Sequence, residues 1–280
     1  MSTQSTRFLA VLSFAISLFP HSAYAQDLSA SDLLKKITET YRQVSSFSVV
    51  AGKKVDLDTD TRGEISVNPN VVHGGSHQSY DIQLTLMASG SSKAKLLLQE
   101  GKKEIVVVWD GKAVWTLIPA QHAYTEVTTA RSANMQTPAR ILRIGSNGIS
   151  GVDLLQRYET LIAGRFQSIS SYESWAKLER SKTLKAGKDK KECYVLTIQK
   201  PGSSQKQKLW VDKKEFIIWK SVDTTLAARD YLAPTFETSI TVTMEQMALN
   251  PSLDDSNFVF TPPDQAKKVD SLILSGINHF

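Results

Sequence analysis

A chain of 280 residues with 41% hydrophobic side chains and 22% charged ones is too apolar for a disordered polymer, and its one cysteine excludes an intramolecular disulfide. Its fold must therefore rest on burial. The 33 basic and 28 acidic residues leave +5, a mild excess that allows weak attraction to acidic partners and says nothing about fold.

Residues 1–25 have the layout of a secretory signal: Arg7, an apolar run from Phe8 to Phe19, and the small-residue pattern Ala23-Tyr24-Ala25. Cleavage is expected before Gln26. Only Arg7 is lost with it, so the mature charge is 32 minus 28, or +4. The apolar run falls short of the roughly 20 residues a spanning helix needs. With no Cys at the new terminus, an exported chain without a lipid anchor is expected. The remaining residues, 26–280, read as one domain.

Residues 29–46 predict an amphipathic helix. Leu34, Ile37, Tyr41 and Val44 recur at helical spacing, with Lys35, Lys36, Glu39 and Arg42 opposite. From residue 47 to 127 the period falls to two, and turn clusters near Asp58, Pro69, Gly74, Gly90, Gly101 and Asp110 divide six or seven strands. No helices intervene, so an antiparallel meander is expected.

The sharpest signal is Asp110-Gly111, a turn between Val106-Val-Val-Trp109 and Ala113-Val-Trp-Thr-Leu-Ile118. A two-residue primed turn would set Val106 opposite Trp115 and Trp109 opposite Lys112. One face then carries Val106, Val108, Ala113, Trp115 and Leu117; the other carries Ile105, Val107, Trp109, Val114 and Ile118. Both are apolar. A sheet with one wet face would alternate apolar and polar, so each face of this hairpin should have a cover.

Between 130 and 172 the pattern turns helical, with Ile141, Leu142, Leu154, Leu155, Leu161 and Ile162 as apolar positions and glycines at 145, 148, 151 and 164. This insertion is expected to pack on the sheet or to move over it. Strands resume at Trp175: a strand at 192–200, one at 205–211, its hairpin partner at 215–223, and a long one at 236–247. A basic loop is expected at 184–191, and the chain closes through Asn257-Phe-Val-Phe-Thr-Pro-Pro263 and a short apolar stretch at 272–277.

Chemistry-bearing patterns are few. Asp56, Asp58 and Asp60 have the opening spacing of a calcium loop, but Thr61 and Val67 stand where it needs Gly and Glu, leaving a solvated turn. His73 and His77 flank two glycines, and His122 and His279 are isolated, so no metal site is expected. Cys193 lies in a strand-like run without a neighbouring His and reads as a core thiol. There is no nucleophile elbow, phosphate loop or dinucleotide fingerprint, and Asp254-Asp255 reads as a turn. No enzyme, cofactor or nucleic-acid partner is expected. The basic run Lys185–Lys191 lacks interleaved aromatics. All five Trp, at 109, 115, 175, 210 and 219, fall in or beside strands. A sheet apolar on both faces, helices able to cap it and no catalytic cluster together describe a lined cavity with a lid.

Five features in order resemble the periplasmic lipoprotein carrier family typified by LolA, with its relatives LolB and the regulator RseB. They are the helix leading into Ser46-Phe-Ser-Val49, the strand pair through Trp109-Asp-Gly-Lys-Ala-Val-Trp115, the Tyr124 that follows it, the hairpin from Leu209 to Trp219, and the closing Phe258-Val-Phe-Thr-Pro-Pro263. The resemblance implies a mainly β fold: an incomplete antiparallel β-barrel whose apolar cavity is covered by an N-terminal helix and an inserted helical lid. It implies a periplasmic, monomeric carrier that holds acyl chains of lipoproteins, or another lipid, between an inner-membrane donor and an outer-membrane acceptor. An RseB-like sensing module is the alternative, although only about 17 residues follow Pro263. The arginine that the carriers place near an early-strand Pro has no counterpart in Val67-Asn-Pro-Asn-Val-Val-His73, and neither Arg62 nor Lys95 matches it. The expected ligand-binding residues are Leu34, Ile37 and Tyr41 of the first helix, Val106, Val108, Trp115 and Leu117 of the hairpin, Ile141, Leu142, Leu154 and Leu155 of the lid, and Trp210.

Overall fold

A computed structural model describes residues 28–60, 76–90, 93–128, 151–228 and 235–272. Helix α1 (Ala30–Arg42) starts where Ser29 caps it: the serine Oγ accepts the Asp32 backbone N–H at 3.0 Å, and Asp32 places its charge at the positive end of the helix dipole. Its apolar stripe is fully engaged, with Leu33, Leu34, Ile37 and Tyr41 all at zero exposure.

Six antiparallel strands follow as a meander: β1 (Ser46–Asp60), β2 (Ser76–Ser89), β3 (Lys93–Glu100), β4 (Lys103–Trp109), β5 (Ala113–Ile118) and β6 (Ala123–Thr128). After helix α2 (Gly151–Ile162) and a kinked 3-10 stretch, Gly164–Trp175, a second meander runs through β7 (Ala176–Ala186), β8 (Asp189–Ile198), β9 (Gln205–Asp212), β10 (Ile218–Ala228) and β11 (Thr235–Leu249). The two meanders join where β1 pairs antiparallel with β11, from Phe47 opposite Leu249 to Asp60 opposite Thr235. A two-residue strand, β12 (Lys267–Lys268), pairs parallel with β6. The result is one twelve-stranded sheet, ordered β12-β6-β5-β4-β3-β2-β1-β11-β10-β9-β8-β7, whose two edges do not meet. This is an incomplete barrel, as expected.

One core unites the helices with a single face of the sheet. Leu34, Ile37, Tyr41, Leu154, Leu155, Tyr158, Ile162 and Phe166 pack with Val49, Ala51, Leu84, Leu86, Leu96, Leu98, Ile105, Val107, Val114 and Ile118. At roughly 25 cal/mol for each Å² of apolar surface removed from water, a core of this extent replaces the missing disulfides. Cys193 is buried on the other face of β8, opposite Asp212 and away from Leu196 and Ile198, and burial pushes its thiol up to about 11.

Four expectations need correction. The β4–β5 register is offset by two from the one a two-residue turn would set: Val106 faces Leu117, Val108 faces Trp115, and Trp109 faces Val114. The cause is Asp110, whose Oδ1 accepts both the Lys112 and the Ala113 backbone N–H, at 2.7 and 2.9 Å, and so closes a longer turn in which Gly111 has φ +93°. A shift of two preserves which side chains share a face. Asp56 and Asp58 do not form a turn but lie within β1, where His77 Nδ1 meets Asp58 Oδ1 at 2.6 Å. The basic run 184–191 is not a loop either; Leu184 pairs with Lys191, Lys185 with Lys190 and Ala186 with Asp189, leaving a tight turn at Gly187, φ +57°. Residues 164–175, expected up to 172 as part of the helical insertion, form a kinked 3-10 stretch. The expected apolar stretch at 272–277 lies, beyond Leu272, outside the described residues.

Candidate functional site

The helix-covered face of the sheet holds one charged side chain that alternation alone would have made apolar. Lys53 follows Phe47, Val49 and Ala51 on that face of β1, and only 6% of it is exposed. Its Nζ donates to the Tyr158 hydroxyl of α2 at 3.3 Å and lies 5.2 Å from the centre of the same ring. Burial, with a smaller contribution from the Arg157 charge, lowers the Lys53 ammonium to about 8, and burial raises the Tyr158 hydroxyl well above its usual range. The pair ties α2 to the middle of the sheet.

A second polar junction ties down the 3-10 stretch. Arg165 donates from one terminal nitrogen to Asp223 Oδ2 at 2.8 Å and from the other to Ser221 Oγ at 2.8 Å, while Gln207 Nε2 donates to the second oxygen of Asp223 at 2.7 Å. The Arg165 Nε is buried without a hydrogen-bond partner among the described residues. Beside this junction opens a half-enclosed groove of about 440 Å³ between the 3-10 stretch and the ends of β8, β9 and β10. Ile169 and Ile198 belong both to its wall and to the core, so it abuts the apolar interior. Tyr172 and Trp175, tilted together at 5.7 Å, and the cations Lys200 and Lys206 also line it. Its volume lies within the range of ordinary ligand pockets. Ser203, Gln205, Gln207, Asp223, Thr224 and Thr225 complete the lining, so an apolar and aromatic end meets a polar one in which Asp223 is neutralised by Arg165 and the lysines remain, an arrangement that suits an amphipathic ligand with an acidic end. Among the described residues no cluster of three His, Cys, Asp or Glu side chains is placed to hold a metal ion, and no helix is long and apolar enough to cross a membrane.

The expected ligand-binding residues divide into three groups. Leu34, Ile37, Tyr41, Leu154 and Leu155 come together beneath the helices, all nearly inaccessible. Tyr41 also braces the sheet, since its hydroxyl accepts the Ile218 backbone N–H at 3.1 Å at the start of β10 while its ring lies against Phe166 at 5.1 Å. Val106, Val108, Trp115 and Leu117 lie on the opposite face from α2. There the chain's C-terminal segment covers the hairpin, with Phe260 stacked on Trp115 at 5.7 Å and tilted against Tyr124 at 5.4 Å, and Asp255 paired with Lys93 at 2.6 Å. The wall beneath the helices is therefore Ile105, Val107, Val114 and Ile118. Trp210 stands apart on β9, between Lys208 and Lys220 at 6.0 and 5.0 Å. Ile141 and Leu142 lie outside the described residues. Sequence reasoning missed Lys53, Arg165 and the groove; Lys53 was detectable as a charge interrupting an otherwise apolar alternation from Phe47 to Val55, whereas the groove depends on a 3-10 stretch with no clear periodicity.

No family model matches the chain, and no curated protein sequence matches it. Among solved structures, it aligns with a DUF1329 family protein from Desulfovibrio piger at 12% identity, covering 82% of this chain and 95% of that one with a TM-score of 0.30. It aligns with the MucA/MucB complex of Pseudomonas aeruginosa at 10% identity, covering 83% of this chain and 61% of that one, TM-score 0.35. An outer membrane lipoprotein-sorting protein domain from Vibrio parahaemolyticus aligns at 12% identity over 82% and 97%, TM-score 0.27. At TM-scores below 0.5 these likenesses decide no ligand, which is read from the chain's own geometry.

Proposed function

We propose that this chain is an exported, non-enzymatic binding protein that carries an acyl chain, of a lipoprotein or of another lipid, between the sheet and the helical segment 151–175. The groove beside Arg165 carries this reading. It leads from solvent to the apolar core at Ile169 and Ile198, and aromatic and cationic side chains stand at its rim. Each methylene withdrawn from water contributes about 0.8 kcal/mol, so a long acyl chain crosses an aqueous compartment only inside such a lining. Beyond their apolar packing, the helices are attached to the sheet by side-chain junctions, Lys53 to Tyr158 and Arg165 to Asp223, and both kinds of contact can part without breaking a strand ladder. Reversible loading requires that kind of attachment.

The test is displacement of a fluorescent fatty acid from the purified chain by unlabelled acyl ligands, with native mass spectrometry of the protein as isolated. Thr225→Trp fills the groove from the β10 side and should weaken probe binding by about tenfold or more while leaving the melting temperature close to that of the parent. If the parent chain binds no acyl probe, or the Trp variant binds it equally well, the reading fails. Carriage, as opposed to sensing, requires that bound acyl ligand pass on to acceptor vesicles. Export is tested separately by sequencing the N-terminus of secreted protein, which should begin at Gln26.

A further inference from the structure

The chain's charge is segregated. Of its 33 basic and 28 acidic residues, 13 and 5 fall between residues 176 and 220, so this stretch of β7 to β10 carries +8 while the remaining 235 residues carry −3. The strand register places much of that charge on one surface. Lys206, Lys208 and Trp210 alternate along β9 on the face opposite Leu209 and Val211, which are in the core. Lys220 of β10 is the direct partner of Trp210, and Lys177 of β7 reaches the same row through Thr197, which pairs with Lys208. The acids on this face are Glu179, engaged by Lys208 at 2.9 Å and by Thr197 at 2.6 Å, Asp212, which is buried and accepts the Lys214 and Glu215 backbone N–H groups at 2.7 and 2.9 Å, and Asp189 at the far turn of β8. Farther across the same outward face, on β1 and β2, the balance reverses: Asp56, Asp58 and Asp81 surround Lys54.

We infer that the outward face of β7–β10 is a docking surface for an anionic lipid bilayer. Three observations favour a bilayer over an acidic protein. The charges are lysines on flexible stems spread along a sheet, not arginines fixed for bidentate pairing. Trp210 lies half-buried among them with lysine ammonium groups on two sides, the amphipathic combination that settles at the headgroup level. Leu226, 46% exposed, extends from the same face of β10. The acidic far end supplies an orienting dipole, because an anionic surface attracts one end of the outward face and repels the other. This surface borders the proposed ligand groove and shares Lys206 with its rim, but Lys177, Lys208, Trp210 and Lys220 lie outside the groove lining, so vesicle binding is tested outside the groove whether or not an acyl ligand is found.

The experiment is cosedimentation of the purified chain with vesicles of phosphatidylcholine and phosphatidylglycerol in a two-to-one ratio, compared with phosphatidylcholine alone. The variant Lys177→Gln/Lys182→Gln/Lys220→Gln, in which Lys182 is the exposed lysine opposite Cys193 on the same face, removes three charges and spares Lys208, which Glu179 already engages, and Lys206, which lines the groove. Each lysine near an anionic leaflet contributes roughly a fivefold gain in partition, so the triple variant should bind at least about tenfold more weakly. Half-molar salt should release the parent chain, since screening then acts over a few ångströms. The variant Asp58→Asn serves as a control for handling and fold and should bind at least as well as the parent. Equal binding to neutral vesicles, undiminished binding by the triple variant, or tighter binding to polyglutamate than to the anionic vesicles would overturn the inference. So would a concentration-dependent dimer that the triple variant abolishes, which would assign the basic face to the acidic face of a second copy.

Discussion

Lys53 is the residue at which the chain departs furthest from local expectation. It stands in a row of core positions, and the ammonium that burial lowers to about 8 ionises near 10.5 in the unfolded chain. Between those values the unfolded state holds more protons than the folded one, so stability rises with pH through that window. The full difference corresponds to roughly 3 kcal/mol, an upper bound for a group that relaxation and water can partly relieve. Tyr41 and Tyr158 work in the opposite sense above about pH 10, because burial raises both and the unfolded chain ionises first. Cys193, raised from 9.0 to about 11, also opposes the rise from about pH 9, so the clean interval is about pH 7.5 to 8.5. Lys53→Met should stabilise the fold at pH 7 by about 1–3 kcal/mol and flatten the rise that the parent shows across this interval, measured by urea unfolding at several pH values. A variant whose stability still climbs in parallel with the parent's would show that another group is responsible. The price of keeping a lysine there fits a latch that has to release α2.

At the scale of elements, the β4–β5 hairpin and α2 show what local pattern can and cannot specify. The turn at Asp110-Gly111 and the membership of the hairpin's two faces were legible, because Gly at positive φ and period-two alternation are local properties. The register was not, since Asp110 recruits two backbone N–H groups and lengthens the turn. Nor was the choice of face: both are apolar, two segments distant in sequence were able to cover them, and only tertiary packing puts α2 on Val107 and Phe260 on Trp115. Gly151, the first residue of α2, packs directly on this hairpin. A Cβ there would collide with Thr116 Oγ1 and meet Val107 Cγ1 at 3.0 Å. Thr116 is 6% exposed and short, so it has little room to yield. Gly151→Ala should therefore cost about 1–3 kcal/mol through overpacking, despite alanine's better helix propensity. Thr116→Ala, by removing the obstructing oxygen, should restore part of that loss in the double variant. Additive losses in the denaturant-unfolding cycle would mean that α2 does not dock through this contact.

At the scale of the molecule, the sheet and the helices are held by different kinds of bonds. From β6 across to β7 in spatial order, successive strands are joined by antiparallel ladders, and the long β1–β11 pairing closes the two meanders into one sheet. The meander pattern was legible from turn spacing, but the pairing of residues 47–60 with 235–249 was not, because no local signal names a partner nearly two hundred residues away. The helical segment makes no backbone ladder to the sheet. Instead, α1 and the 3-10 stretch are stitched to each other: Arg42 Nε donates to the Gln167 carbonyl at 3.0 Å, the Ser170 N–H donates to Thr38 Oγ1 at 3.1 Å, and Ser31 bonds Glu173. Loss of side-chain junctions is cheaper than loss of a ladder, so the segments that cover the sheet should open below the global unfolding free energy. Native-state hydrogen exchange should accordingly show the amides of α2 and residues 164–175 exchanging through a common opening well below that of β1, β2 and β11. Arg165→Ala, which leaves Asp223 held by Gln207 without its cationic partner, should lower the opening energy of 164–175 by about 1–3 kcal/mol and leave the central strands nearly unchanged. If helices and strands instead exchange together at the global value, and the Arg165 variant shifts both equally, the cover is an inseparable part of the core and the groove at its edge is not a gate.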